Sequence, residues 1–376
     1  MSILLTGATG FLGCRLLREL LARPSDELVT VLGRGGEDDL RTRTEAAVTW
    51  LGGPPLPTGA LRRLRFVSGD ITQPGLGLPA DDRARVTDGL TQLWHSAALL
   101  TLDGDPVPLH RSNVLGTRHV LDLADEAPEA GVVHVSTAYV AGRRLTGHVL
   151  EDDLREDSGF QTPYEQSKYT AETMVHAWTR SRGRTATIMR PSLLVTDRPV
   201  PPGLPGQPLD TATRLARDGL RSWAARSKGL AGILRRPRRG GDTLRLRVVV
   251  NPEGALNLLQ ADYAAQAMLR AVEAPHEAPV RTLHVTHPTN TPVATLLDAC
   301  ERHFPGLTLT AVPELPDPTP AEELIAPWAR ILGYSAQRRT YDRTWLLAAV
   351  GDLPDPKSID VNYLARAAEP VEATSG

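Results

Sequence analysis

The chain has 376 residues, 41% hydrophobic and 23% charged, with a net charge near −2. That length exceeds one small core and fits one large or two modest domains, and the balanced charge gives no global case for nucleic-acid binding. Two cysteines, Cys14 and Cys300, exclude a disulfide scaffold and point to a reducing compartment, taken here as the cytoplasm.

No apolar run is long enough to span a membrane. The opening "MSILLTGATGFLG" lacks a basic leader and a cleavage-like site, so it reads as a first strand. Up to about residue 195 short apolar runs alternate with helical patterns. The strand candidates are 2–6, 27–33, 63–71, 92–99, 132–139 and 185–194. Amphipathic helices are expected at 11–23 and 112–127. Strand and helix in alternation predict an α/β fold: a Rossmann-type doubly wound parallel sheet.

After residue 195 the character changes. The stretch 197–210 is proline-rich and must be a loop. A basic stretch, 221–247, follows with one acid in it. A strand at "RVVV", a helix at 258–273 and a strand at 281–287 then return to the earlier style. Residues 1–196 with about 246–288 are expected to form the dinucleotide-binding domain. About 197–245 and 289–376 are left for a smaller substrate-binding domain.

The first strand runs into "TGATGFLG", in which Gly7, Gly10 and Gly13 are spaced GxxGxxG before a helix. One glycine permits a tight turn, one lets backbone N–H groups approach a pyrophosphate, and one packs the helix against the strand. The helix N-terminus then faces the phosphates. At the end of the second strand, where NAD sites usually carry an acid, stands Arg34. It suits a 2′-phosphate, so NADPH is expected over NADH, although Glu37, Asp38 and Asp39 follow closely. Asp70 in "SGDIT" either meets the adenine amino group or caps its own turn.

"TPYEQSK" places Tyr164 four residues before Lys168, on one face of a helix. Only three of the 42 basic residues are lysines. A lysine ammonium beside a phenol favours the phenolate and lets it exchange a proton near neutrality. A compact ammonium that must also bond a ribose explains why arginine does not stand here. A hydroxyl is needed to polarise a carbonyl. Ser136 and Thr137, at the C-terminal end of a strand, both qualify, and alternation points only one inward.

Together "TGATGFLG", "GDIT", "HSAA", "NVLGT", "VSTAYV", "PYEQSK" and "RPSLL" resemble the extended short-chain dehydrogenase/reductases over most of residues 1–290. "HVSTAYV", "YEQSK" and "MRPS" are most similar to the thioester reductase and fatty-acyl reductase branch. The resemblance implies a catalytic triad of Thr137, Tyr164 and Lys168, with Ser136 beside it. It implies nucleotide contacts from Gly7, Thr9, Gly10, Phe11, Leu12 and Gly13. Further contacts are implied at Arg34, Asp70, Ile71, Ala97, Asn113, Lys168 and Pro191. The implied reaction is hydride transfer from NADPH to an acyl thioester, giving an aldehyde and then, with a second hydride, an alcohol. Relatives are usually fused behind a carrier domain. Here the resemblance implies action in trans on a carrier-bound or coenzyme A thioester.

The basic stretch is either a solvated face or a docking surface for an acidic carrier or a coenzyme phosphate. The ten histidines form no metal motif, so no metal is expected, and neither cysteine is needed as a nucleophile. Two rivals use the same scaffold. One is a dehydrogenase, epimerase or dehydratase acting on an alcohol, ketone or sugar nucleotide; the other is a non-catalytic NADP-binding regulator.

Overall fold

The computed structural model describes residues 1–101, 105–201, 203–204, 206–207, 243–304 and 306–367. Of the basic stretch, 221–242 lies outside the described residues, and with it most of the candidate docking surface.

Nine strands matter to the argument. They are β1 (Ser2–Thr6), β2 (Leu28–Gly33), β3 (Leu64–Ser68), β4 (Leu90–His95) and β5 (Gly131–Val135), then β6 (Ala186–Pro191), β7 (Leu244–Val249), β8 (Val280–Val285) and β9 (Leu307–Val312). Seven form one parallel sheet in the order β8-β6-β5-β4-β1-β2-β3. The order reverses at β1, where a crevice opens above the strand C-termini.

Neighbouring residues of β1 show how the strands are read. Leu4 joins the apolar cluster on one face, with Leu93, Val120 and Ile188. Leu5 joins the cluster on the other, with Leu16, Leu20, Val29 and Met268. A strand buried on both faces has to be apolar throughout, which is why these runs show no alternation. The covering helices used below are α1 (Gly13–Ala22), α2 (Glu37–Trp50), α3 (Gly116–Asp125), α4 (Pro163–Arg182) and α5 (Ala261–Glu273). Arg15 on α1 reaches Asp262 at the start of α5, Nε to Oδ1 at 2.7 Å, and stacks over the Phe11 ring.

Three segments depart from the sequence reading. The helix expected over 112–127 starts as a π-helical turn, His110–Leu115, before α3. The helix expected over 258–273 starts as a short strand, Leu258–Gln260, paired with Leu193–Val195. Strand β7, which the reading splits at about 246, pairs along its whole length with β9, Leu244 with Leu307 through Val249 with Val312. These two strands share a separate apolar cluster with Val293, Leu296 and Ile325.

Glu151 ties this C-terminal part to the sheet. Its buried carboxylate accepts from His284 N on the edge strand β8 at 2.9 Å. It also accepts from Trp345 N at 2.6 Å and Leu346 N at 3.2 Å, in the first turn of the helix Thr344–Val350. Removing it orphans three donors, two of them buried and each of those worth about 1–3 kcal/mol. Glu151→Ala is expected to lower the unfolding free energy by about 3 kcal/mol or more, read as a shift in the urea midpoint.

Candidate active site

The glycine loop leaves β1 at Thr6. Gly7 has φ +78°, and a Cβ there would lie 2.6 Å from Ala97 N, at the tip of β4. At Gly13 a Cβ would fall 1.9 Å from the Gly7 carbonyl, so only glycine lets α1 start this close to the loop. No side chain caps the N-terminus of α1. Cys14 N and Arg15 N donate to the Gly10 and Leu12 carbonyls, both at 3.0 Å, so what the helix end offers an anion is chiefly its positive dipole end, and the loop has the shape of a pyrophosphate cradle.

Two cavities meet at this cradle, and Gly7, Gly10, Ser96 and Ala98 line both. The larger, about 610 Å³, is also lined by Thr9, Arg34, Asp70, Ile71 and Ala97. The smaller, about 420 Å³, is lined by Phe11, Leu12 and Gly13 and by Ser136, Thr137, Tyr164, Lys168 and Pro191. Thus all but one of the expected nucleotide residues lie on these walls. The exception is Asn113, which lines neither. Its amide oxygen accepts from Leu99 N at 2.8 Å, and its amide nitrogen donates to the Leu99 carbonyl at 3.0 Å and Ser167 Oγ at 2.9 Å. Asn113 clamps the loop after β4 to α4, so it supports the site from behind.

Arg34 is exposed at the cavity mouth. Its carbonyl accepts from Arg43 Nη2 at 2.5 Å, and Arg43 in turn pairs with Asp39 at 2.9 Å. One of the three acids near Arg34 is therefore engaged elsewhere. Asp70 uses Oδ1 to accept from Thr72 N at 2.9 Å, which is the turn-capping role the sequence also allowed.

The helix α4 begins with a built stop. Thr162 caps it, Pro163 takes the first helical position, and Glu165 reaches back to accept from Gln161 N at 2.7 Å. This fixes the phase of the helix and puts Tyr164 and Lys168 on the same cavity wall. The sequence reading has the ammonium pull the phenol down. The structure gives the opposite balance. Lys168 Nζ donates to the Val135 carbonyl at 2.6 Å. Burial pushes the Tyr164 phenol up, with Glu165 adding to it. Burial also brings Lys168 down to about 8, opposed by Glu172. The lysine is committed to the strand end, so the phenol stays protonated at neutral pH.

The two hydroxyls separate by partner. Ser136 Oγ donates to Glu172 Oε2 at 2.5 Å. Thr137 Oγ1 makes only a long contact, 3.4 Å, to the Pro191 carbonyl and accepts from Tyr139 N at 3.3 Å. Thr137 is the hydroxyl left free to turn to a ligand in the cavity.

Several wall residues escape the sequence reading. Tyr139 and Tyr334 meet edge to face with centroids 4.8 Å apart, and Gln207 accepts from Thr196 N at 2.7 Å. With Leu100, Leu193 and Leu194 they close the smaller cavity. They come from distant parts of the chain, and no local spacing marks them. His284, next to the C-terminal end of β8, is fully buried beside Arg190, 3.4 Å from Nη1 to Nε2.

The Male sterility protein family, a family of NAD-binding proteins, matches residues 5–268. The chain belongs to that family. A linear gramicidin synthase from Brevibacillus parabrevis is 32% identical over 196 residues, 50% of this chain and 4% of that one. Across the first curated relatives the chain spans between 4% and 52% of their length. The terminal R domain from the myxalamid PKS-NRPS pathway superposes with a TM-score of 0.74 at 23% identity, covering 97% of this chain and 89% of that one. UDP-glucuronic acid 4-epimerase from Bacillus cereus, crystallised with NAD, gives 0.64 at 16% identity, covering 98% and 97%. The chain thus shares its fold with that R domain and that epimerase, and about half of it is similar to part of a peptide synthase. No described helix is long and apolar enough to cross a membrane, and no cluster of metal-binding side chains is found among the described residues.

The lowered Lys168 pKa has a measurable consequence. Below about pH 8 both the folded and unfolded states hold the proton, and the folded state bears the full burial penalty. Between about 8 and 10.5 the unfolded state holds it and the folded state does not, so stability rises with pH. Lys168→Met removes that term. In nucleotide-free urea unfolding it is expected to exceed the wild type at neutral pH by up to about 3 kcal/mol, with the gap closing as pH rises through that window.

Proposed function

We propose that this protein is an NADPH-dependent reductase of acyl thioesters, acting on a carrier-bound or coenzyme A-bound chain. The observation that carries the substrate class is the wall of the smaller cavity. Among the described residues that line it, Lys168 is the only charged one, and the rest are glycines, aliphatics, tyrosines and small polar groups. A nucleotide sugar would bring a diphosphate that needs cations. An acyl chain needs the apolar wall offered by Leu100, Leu193 and Leu194. The relatives that are peptide synthetases point the same way.

The glycine cradle and the N-terminus of α1 fit a dinucleotide pyrophosphate. Gly7, Gly10 and the start of α1 would hold the phosphates, Arg34 the 2′-phosphate, and Lys168 the ribose beside the nicotinamide. When bound there, the reduced nicotinamide supplies a hydride. Thr137 and Tyr164 hold the thioester oxygen and stabilise the charge that gathers on it. Tyr164 enters as the acid, since burial keeps its phenol protonated, and it gives that proton to the oxygen. Loss of the thiol from the hemithioacetal leaves an aldehyde. No nucleophilic thiol takes part: burial pushes Cys14 up to about 11 and Cys300 up to about 12.

Nucleotide oxidation with a panel of acyl-coenzyme A and acyl-carrier thioesters tests this reading. Turnover should require the thioester and fall by at least about a hundredfold in Tyr164→Phe. Absence of thioester-dependent turnover, with the nucleotide still bound, moves the assignment to a ketone or alcohol substrate. The nucleotide preference has its own test. Arg34→Ala should raise KM for NADPH about tenfold and leave KM for NADH within about twofold.

A further inference from the structure

Three consecutive residues at the C-terminal end of β5 are each held by a different partner. The Val135 carbonyl accepts from Lys168 Nζ at 2.6 Å. The Ser136 hydroxyl donates to Glu172 Oε2 at 2.5 Å. Thr137 Oγ1 donates to the Pro191 carbonyl at 3.4 Å. Glu172 follows Lys168 by one helical turn on α4. Pro191 follows Arg190, whose guanidinium clasps Glu172 with Nε at 3.0 Å and Nη2 at 2.5 Å from Oε1. Glu172 is 0% exposed and Arg190 1%.

As a stability device the pair is poorly chosen. Desolvating both ions costs several kcal/mol each, and an apolar pair of like volume fills a core as well or better. Its position is the informative part. The carboxylate lies one helical turn from Lys168 along α4 and bonds the residue next to Thr137. Fixing the Ser136 hydroxyl fixes the strand end, and the alternation of the strand then turns Thr137 to the opposite side.

The other groups around these atoms do not replace it. From β4 and β5, His95 and His134 face Lys168, and burial keeps both neutral. From α4 itself, His176 lies 4.0 Å from Glu172, and burial lowers its pKa as well. From β8, His284 meets Arg190, and the Glu151 carbonyl accepts from Arg190 Nη1 at 3.2 Å. Glu172 is the carboxylate that opposes the burial of Lys168.

We propose that Glu172, anchored by Arg190, is a positioning residue that presents Thr137 to the cavity and keeps Lys168 an ammonium. This rests on the roles given above to Thr137 and Lys168, so the test includes a readout that needs no substrate. The chain has three lysines, Lys168, Lys228 and Lys357. With Lys228→Arg and Lys357→Arg in the background, isotope-labelled lysine NMR follows Lys168 alone through a pH titration of the full chain.

In Glu172→Gln the Lys168 midpoint is expected to fall by roughly one pH unit. The kcat for thioester reduction should fall about tenfold or more, with KM for the nucleotide within about twofold. Ser136→Ala spares the ion pair. It should lower kcat about three- to tenfold without moving the midpoint. If Glu172→Gln does not fold, Glu172→Asp, with its carboxylate withdrawn by one methylene, is titrated with the same expectation. A Lys168 midpoint equal to that of the wild type overturns the proposal, whatever the protein does with thioesters. A shifted midpoint with no turnover of any thioester supports the role of Glu172 in setting the lysine charge and counts against the proposed substrate alone.

Discussion

A lysine ammonium buried to 2% exposure must find acceptors or lose its proton, and much of the site follows from how Lys168 does so. It donates to the carbonyl of Val135, the last residue of β5. That bond joins the middle of α4 to the sheet edge where ligands bind in folds of this kind. It also separates the lysine from the phenol one turn away. Tyr164 and Lys168 share a wall without the phenol being ionised. Burial, with Glu165 adding to it, keeps the proton on the tyrosine.

What was legible in the sequence was local. The glycine loop could be read because its spacing is local, although Gly7 also answers to Ala97 N at the tip of β4. At Gly13 the steric demand is the Gly7 carbonyl, 1.9 Å from where a Cβ would stand. The Tyr164–Lys168 pair could be read because helical spacing alone puts both on one face. The parallel sheet could be read because strands covered on both sides are apolar throughout. The elements that escaped depend on partners far along the chain. β7 has the apolar run of a sheet strand, and only its pairing with β9, some sixty residues later, places it in the C-terminal part. The π-helical turn at His110–Leu115 has ordinary helical composition, and it exists where Asn113 turns inward to clamp Leu99. The cavity wall of Tyr139, Tyr334 and Gln207 is assembled from three distant segments.

The preference of this chain for arginine also reads differently in three dimensions. Buried and half-buried arginines here serve as multi-pronged connectors. Arg190 spans Glu172, the Glu151 carbonyl and His284. Arg339 bonds the Tyr341 hydroxyl at 2.7 Å and the carbonyls of Gly142 and Arg144 at 2.5 and 3.2 Å. Arg184 bonds the carbonyls of Ala124, Ala127 and Ala130. A planar fork with five donors suits such junctions, where several backbone oxygens converge in fixed directions. Position 168 makes a different demand. It has one strand carbonyl to satisfy, a cavity to face and a charge that must stay within reach of neutral pH. A guanidinium holds its proton at every working pH and spreads it over a plane. An ammonium brought down to about 8 keeps a single compact charge that its surroundings can tune.

That tuning links the lysine to the rest of the buried polar chain. From Lys168 the connections run through Glu172 and Arg190 to His284, and from there to Glu151 and the first turn of Thr344–Val350. From Glu172 outward each bond leaves one element for another, from α4 to β6, then to β8, then by way of Glu151 to the C-terminal helix. A change at one end leaves a charge or donor unpaired at the next, and in a low-dielectric interior each such loss costs more than it would at the surface. The C-terminal part closes the smaller cavity through Tyr334 and is tied to the sheet through Glu151. Substitutions at Glu151, remote from the cavity in sequence, fall on that path and not outside it.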